Sequence, residues 1–199
     1  MEILKNQLQP CFINLFQKTI GLDDSEFDYL LSHFHKEILP KKQFYLKEGH
    51  ITSQKAYLNK GCTRTFINDE NNKEHILFFA FEDWWLGDFE SYHTQKLGKQ
   101  NIQALEDCEL LIISFDDFAK MQREIPKLEQ WNQVKANKMV FATMNRLVEI
   151  KSTSVEERYL NLIKKQPDVF QRVPLQYIAA YLDIEPQSLS RLRKRLLHN

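Results

Sequence analysis

Glycine and cysteine are scarce in this chain of 199 residues, with five of the first and three of the second. Cys11, Cys62 and Cys108 are odd in number and widely separated, with no CxxC pair, so neither a disulfide framework nor a zinc knuckle is indicated. No charge of one sign is in excess: Lys plus Arg and Asp plus Glu each number 27, and any basic surface has to be local. Long apolar runs are missing too. No stretch approaches a membrane span, and the start MEILKNQLQPCFINLF lacks the basic opening and unbroken apolar run of a signal peptide, which points to a cytoplasmic protein with no membrane partner. The HxH strand pair favoured by metal-binding barrels is absent; His50, His75 and His93 are scattered, and His33 and His35 lie two apart on an expected helix, pointing to different sides. GxSxG, P-loop, HExxH and Rossmann fingerprints are also missing, so the chain is not expected to be an enzyme and no residue is given a catalytic or metal-ligating role.

What the sequence does contain is concentrated in residues 173–199, VPLQYIAAYLDIEPQSLSRLRKRLLHN. Pro174 can open a helix, where its missing N–H is no loss, and Leu175, Ile178, Ala179 and Leu182 then form an apolar stripe. Asp183, Ile184 and Glu185 read as a three-residue turn, and Pro186 starts a second helix with Leu189, Leu192 and Leu196 as its buried face. Two short helices so joined must cross at an angle, and Ala179 supplies the small residue that a helix-turn-helix needs there. The turn usually carries Gly for its left-handed backbone, a conformation that Asp183 tolerates at modest cost. Outward, the second helix presents Gln187, Ser188, Ser190, Arg191, Lys194 and Arg195, with no acidic residue after Glu185. Gln pairs bidentately with adenine and Arg with guanine in the major groove, while Ser, Lys and Arg hold phosphates, which makes Gln187 and Arg191 the expected base readers. The competing reading is a solvated C-terminal helix whose cations merely favour its negative dipole end. Coincidence of the apolar template with the basic face favours double-stranded DNA.

Upstream, the hydrophobic period changes twice. Asp24 and Ser25 can cap a helix in which Phe27, Leu30, Leu31, Phe34 and Ile38 recur at helical spacing, closing at Pro40. Short runs at 43–49, 56–61, 62–68, 73–81, 101–107 and 108–114, rich in aromatic and branched residues, predict a β sandwich or barrel, with a hairpin tip at Asp69 to Asn72. Ser114 and Asp117 pair like a capping box ahead of Phe115, Phe118 and Met121. Pro126 then starts a helix running to about Ile150 without Gly or Pro, with a heptad-like seam of Trp131, Val134, Phe141 and Val148, joined by Met144 and interrupted by Lys138 and Asn145. This seam predicts a homodimer, because DNA half-sites are commonly read by twofold dimers. Ser154 and Glu157 open a further helix that Pro167 closes.

Helix, β-roll, long helix and C-terminal helix-turn-helix in this order resemble the Crp/Fnr superfamily of bacterial transcription regulators. The segments FYLKEGH (44–50), YLNKGCTRTF (57–66), EDWWLGDFES (82–91), QALEDCELLIIS (103–114), the run 156–184 and PQSLSRLRKR (186–195) carry the resemblance, which covers nearly the whole chain. It implies an α+β fold. An N-terminal double-stranded β-helix of jelly-roll type, a cyclic-nucleotide-binding-like sensor, would occupy residues 1–124, a dimerisation helix 125–151 and a helix-turn-helix domain 152–199. Winged members carry a hairpin after the recognition helix, which is not expected here, and RNA polymerase becomes a candidate partner.

The family's cyclic-AMP site pairs Gly-Glu for the ribose with Arg-Ser or Arg-Thr for the phosphate. Here the first pair survives only as Gly87 and Asp88, and residues 96–104 read KLGKQNIQA without Arg, Ser or Thr. Lys96 or Lys99 offers a point charge in place of the planar fork of Arg, so cyclic AMP is not expected and no cofactor is assigned. Another small effector remains compatible with a concave roll, with Trp85, Gly87, Asp88, Lys96 and Lys99 as candidate pocket residues and Trp84 beside them. The family's iron–sulfur sensing needs clustered N-terminal cysteines, where only Cys11 stands, and nothing singles out His75, His93 or Cys62 as a haem ligand. A β-roll module that acts on a protein partner without binding DNA is the alternative.

Overall fold

The computed structural model describes residues 8–197. Pro10 starts a first helix, α1 (Pro10–Ile13), which continues as a π-helical turn over Asn14–Thr19. Helix α2 (Asp24–Ser32) is opened by a capping box in which Asp23 accepts from Glu26 N and Glu26 accepts from Asp23 N. The helical spacing carried past its end does not continue as helix: β1 is His35–Leu39 and pairs with β8 (Cys108–Ser114), register His35 opposite Ile112. Ile38, counted on the helical stripe, is consequently exposed, while Leu39 is buried. His33 closes the helix and His35 opens the strand, so the two do not share a helix.

The remaining strands are β2 (Phe44–Leu46), β3 (Gln54–Lys60), β4 (Thr63–Asn68), β5 (Glu74–Ala80), β6 (Trp84–Leu86) and β7 (Asn101–Ala104). They form two antiparallel four-stranded sheets, ordered β1-β8-β3-β6 and β2-β7-β4-β5. A short helix, α3 (Phe89–Thr94), capped by the Asp88 side chain, separates β6 from β7. Neither β6 nor α3 has the length to show a period in the sequence.

Both faces of both sheets are apolar. Between them, Ala56, Leu58, Ala80, Leu86, Ile102, Ala104, Leu110 and Ile112 form an inner core. Because strand side chains alternate, Tyr57, Leu111 and Ile113 emerge on the opposite face of the first sheet, where α1, α2, α4 (Phe115–Glu124) and the start of α5 (Pro126–Ser152) cover them. Phe12, at its centre, packs edge-on against Phe34 and Tyr57. On the outer face of the second sheet, Phe66, Ile76 and Phe79 enter a third core supplied mainly by α6 (Val155–Lys165), α7 (Val169–Arg172), α8 (Leu175–Tyr181) and α9 (Pro186–Leu197). Layers of helix thus sandwich the roll on either side.

Two crowded places stand out on β3 and the turn that follows it. Gly61, at the β3–β4 turn with φ +112°, has no room for a side chain, since a Cβ there would lie 2.6 Å from Cys108 Sγ. Lys55, on β3, is buried with its Nζ 2.9 Å from the Phe118 ring centre and 4.6 Å from that of Trp85. A cation–π contact contributes roughly 0.5–2 kcal/mol, whereas removing an ammonium from water costs several. Desolvation wins, and the amine is held well below the ordinary lysine value of 10.5. The unfolded chain therefore binds a proton that the folded chain does not, so this group's contribution to stability grows as pH rises toward 10.5. Lys55→Met should raise the urea midpoint at pH 7, and its advantage over the native chain should shrink by pH 9. Equal advantages at the two pH values would show that the amine stays charged.

Candidate nucleic-acid interface

Helices α8 and α9 are built by local signals. Pro174 sits at the N-cap of α8, and Leu182 caps its C-terminus. Ile184 N donates to Ala179 O at 3.0 Å and Asp183 N to Ala180 O at 3.2 Å, with Asp183 left-handed at φ 58°, which together make a Schellman ending. Arg146 of α5 donates to Tyr181 O at 2.7 Å, and Arg158 of α6 to Leu182 O at 3.3 Å. Two cations thus satisfy carbonyls at the negative end of α8.

All the apolar positions expected of the motif are buried except three, of which Leu196 is half-buried. Ile178, Ala179, Leu182, Leu189 and Leu192 lie in the core, and Ile184 is half-buried; Leu175 is exposed at the start of α8. Tyr177 and Tyr181, unremarked in the sequence, are the α8 residues that meet the roll: Tyr177 stacks on the Arg64 guanidinium at 4.0 Å, and Tyr181 lies 5.4 Å from Phe79. No local pattern announces this, since both partners come from distant strands.

The basic face of α9 is presented as expected. Gln187, Ser190, Arg191, Lys194 and Arg195 are exposed, and Ser188 is half-buried. Ser188 receives a hydrogen bond from Arg191 Nη2 at 3.3 Å, and Ser190 Oγ donates to Pro186 O. Arg195 is ion-paired with Glu156 at the first turn of α6. Ser188, Arg191 and Arg195 line one open groove of about 470 Å³ with Val155, Glu156, Ile184 and Leu192. Arg193 lies over the Phe170 ring, at 5.3 Å, and belongs to the packing rather than to this face.

On α5, Val134, Phe141, Met144 and Val148 are all more than half exposed, as are Met139, Val140 and Leu147. Trp131 is different. It packs against Phe16 and Trp85 at 6.1 Å each, on the roll, so it anchors the first turns of α5 rather than the exposed stripe.

The candidate pocket residues differ in their surroundings. Trp85 faces the helical layer, contacting Tyr57, Phe34 and Phe118. Asp88 is buried and spent on capping α3, accepting from Ser91 N at 3.0 Å. Gly98 presses so close that a Cβ there would lie 2.9 Å from Asp88 Oδ2. Lys96, Lys99 and Trp84 are exposed. Among the described residues no group of three or more His, Cys, Asp or Glu is arranged to hold a metal ion, and no helix is long and apolar enough to cross a membrane.

A two-sheet β-roll, a long helix and a helix-turn-helix on one chain define the architecture. No family model matches the sequence. The cAMP-activated global transcriptional regulator CRP of Pasteurella multocida is 27% identical over 105 residues, a match spanning 53% of this chain and half of that one. Its counterpart in Escherichia coli O6:H1 is 22% identical over 183 residues, 87% of each chain. A transcriptional regulator of the crp/fnr family from Eubacterium rectale superposes with a TM-score of 0.67 at 14% identity, covering 92% of this chain and 86% of that one. The chain is thus similar in sequence to these CRP regulators and shares the fold of the crp/fnr-family structure.

The Asp183 backbone supplies a test of the turn. A non-glycine residue in the left-handed region costs roughly 1–2 kcal/mol, least for Asp and Asn. Asp183→Gly should leave the unfolding midpoint unchanged or raise it, and Asp183→Val should lower stability by about 1–2 kcal/mol in urea titrations. A Val variant as stable as the native chain would mean that the turn is not left-handed.

Proposed function

We propose that the protein is a homodimeric, sequence-specific DNA-binding transcriptional regulator. One observation carries this: α9 buries Leu189 and Leu192 against the crossing at Ala179 while exposing Gln187, Arg191, Lys194 and Arg195 along the opposite side. Buried apolar and exposed basic faces on the second helix of such a pair suit insertion into a major groove. Gln187 and Arg191 read base edges, and Ser188, Ser190, Lys194 and Arg195 hold phosphates. Arg195 exchanges Glu156 for a phosphate on binding. The exposed apolar stripe of α5 pairs with a second copy, which brings two α9 helices to successive major grooves about 34 Å apart on an inverted repeat. RNA polymerase is the partner through which a bound regulator of this kind acts on transcription.

The roll receives the signal, and cyclic AMP is not the effector in this reading. Asp88 is engaged in capping, Gly98 crowds it, and the segment that follows offers no arginine. A different small polar effector is the reading we favour, with the buried hydroxyls of Thr52, Thr63 and Thr65, which have no hydrogen-bond partner within the protein, as the polar groups it would meet. Unpaired buried hydroxyls cost free energy that a ligand's polar groups can recover.

Purified protein incubated with sheared genomic DNA at moderate salt should retain fragments sharing one inverted repeat. Retention without any common motif would overturn sequence-specific reading. On the enriched site, Arg191→Ala should cost about 1–3 kcal/mol and relax specificity at one base pair, while Lys194→Ala should weaken all sequences evenly and reduce the salt slope by about 1. Phe141→Asp should convert a dimer into a monomer in sedimentation velocity runs, because an unpaired carboxylate cannot be buried in an apolar seam. A dimer that persists would place the interface elsewhere.

A further inference from the structure

Arg172 stands at the end of α7, two residues before the helix-turn-helix begins. Its guanidinium grips Glu82 with both nitrogens, Nη1 to Oε2 and Nη2 to Oε1, each at 2.8 Å, and Nη2 also donates to Glu106 Oε1 at 2.5 Å. Glu82 Oε1 in turn accepts from Gly61 N at 2.8 Å. One side chain therefore gathers the β3–β4, β5–β6 and β7–β8 turns, all at one end of the roll, and the Phe81 ring lies beneath it at 5.0 Å. Burial pushes the Glu82 carboxyl up, but Arg172 and the Gly61 N–H outweigh it and hold it at about 2. The grip persists at any physiological pH.

Two further contacts restrain the same unit. Arg64, only 3% exposed, is paired with Glu74 and Gln103 and sandwiched between the rings of Phe66 and Tyr177, at 4.1 and 4.0 Å. Arg146 ties the Tyr181 carbonyl of α8 to α5 while its guanidinium lies 3.9 Å from the centre of the Tyr181 ring. Helix α8 is thus fixed to the roll along its side and to α5 at its end, and α9 packs on α8. A bidentate Arg–carboxylate pair is directional as well as strong, so it sets an orientation and not merely a proximity.

We infer that Arg172, with Glu82 and Glu106, is a positioning and specificity-determining residue for the spacing of DNA half-sites. The inference rests on the DNA-binding reading above. In a dimer built on α5, the distance and rotation between the two α9 helices follow from how each helix-turn-helix is seated on its own roll. With the Arg172 grip in place, one spacing satisfies both readers at once. Without it, each unit rocks on the remaining contacts, and several spacings become acceptable.

The experiment uses duplexes that carry the half-site enriched by the native protein, at the native spacing and at spacings changed by one, two and three base pairs, together with a single half-site. Inserting two base pairs rotates one half-site by roughly 70° about the duplex axis. Native protein should prefer its own spacing by roughly tenfold or more, the avidity expected when both readers engage together. Arg172→Ala should reduce that preference to about threefold or less, with single-half-site affinity within about a factor of two of native. Glu106→Gln, which leaves the Glu82 fork intact, should give an intermediate preference, and Arg172→Lys should restore part of it. If Arg172→Ala fails to fold, the Glu106→Gln result decides. Native spacing preference in both Arg172→Ala and Glu106→Gln, even with lowered thermal stability, would overturn the inference and leave a purely structural contact. A native protein that enriches no motif would overturn the DNA-binding reading instead, and the inference with it.

Discussion

Two sheets that are apolar on both faces cannot stand in water, and the rest of the molecule answers that constraint. Strand β3 shows it residue by residue: Ala56 and Leu58 point into the roll, and Tyr57 points out of it, all three fully buried. Each large apolar side chain left exposed would forfeit roughly 1.5–3 kcal/mol of burial. One outer face is closed by the N-terminal helices, α4 and the beginning of α5, and the other by the helix-turn-helix and the helices that precede it. The helix-turn-helix is therefore part of the packing solution for the roll.

The same logic bears on the large apolar stripe left open on α5. Helix α5 is anchored by Leu128 and Trp131 in the first core, then leaves the roll with Val134, Phe141, Met144 and Val148 in solvent. Toward its far end it returns to the protein through Arg146 and Glu149, which meet Tyr181 of α8 and Asn161 and Lys165 of α6. Among the described residues the stretch from Val134 to Val148 keeps an exposed apolar stripe, which is where the seam of the proposed twofold assembly would lie.

Much of this was legible in the sequence wherever the deciding signal is local. Ser114, Ser154 and Pro126 mark helix starts because capping and a fixed φ act within one turn, and the crossing at Ala179 follows from the spacing of Ile178, Leu182, Leu189 and Leu192. His35–Leu39 escaped because its apolar residues continue the helical period of the preceding segment; the pairing with β8 that makes it a strand is invisible at that range. Trp131 fell on a heptad seam by spacing alone, though its true neighbours, Phe16 and Trp85, come from far along the chain. Basic residues on α9 could be read as a face because a helix imposes period. By contrast, Arg172, Glu82 and Glu106 sit on separate turns, and charges on turns carry no period at all.

The shared third core has a bearing on how such a protein can change over evolutionary time. A segment of roughly 45 residues is near the limit of what folds by itself, and here Phe66, Ile76 and Phe79 of the roll complete its interior. The C-terminal helical unit is thus not a portable cartridge. Separating the two would expose raw apolar surface on both halves, so a change on the outer sheet and a change in the helices that cover it are physically coupled.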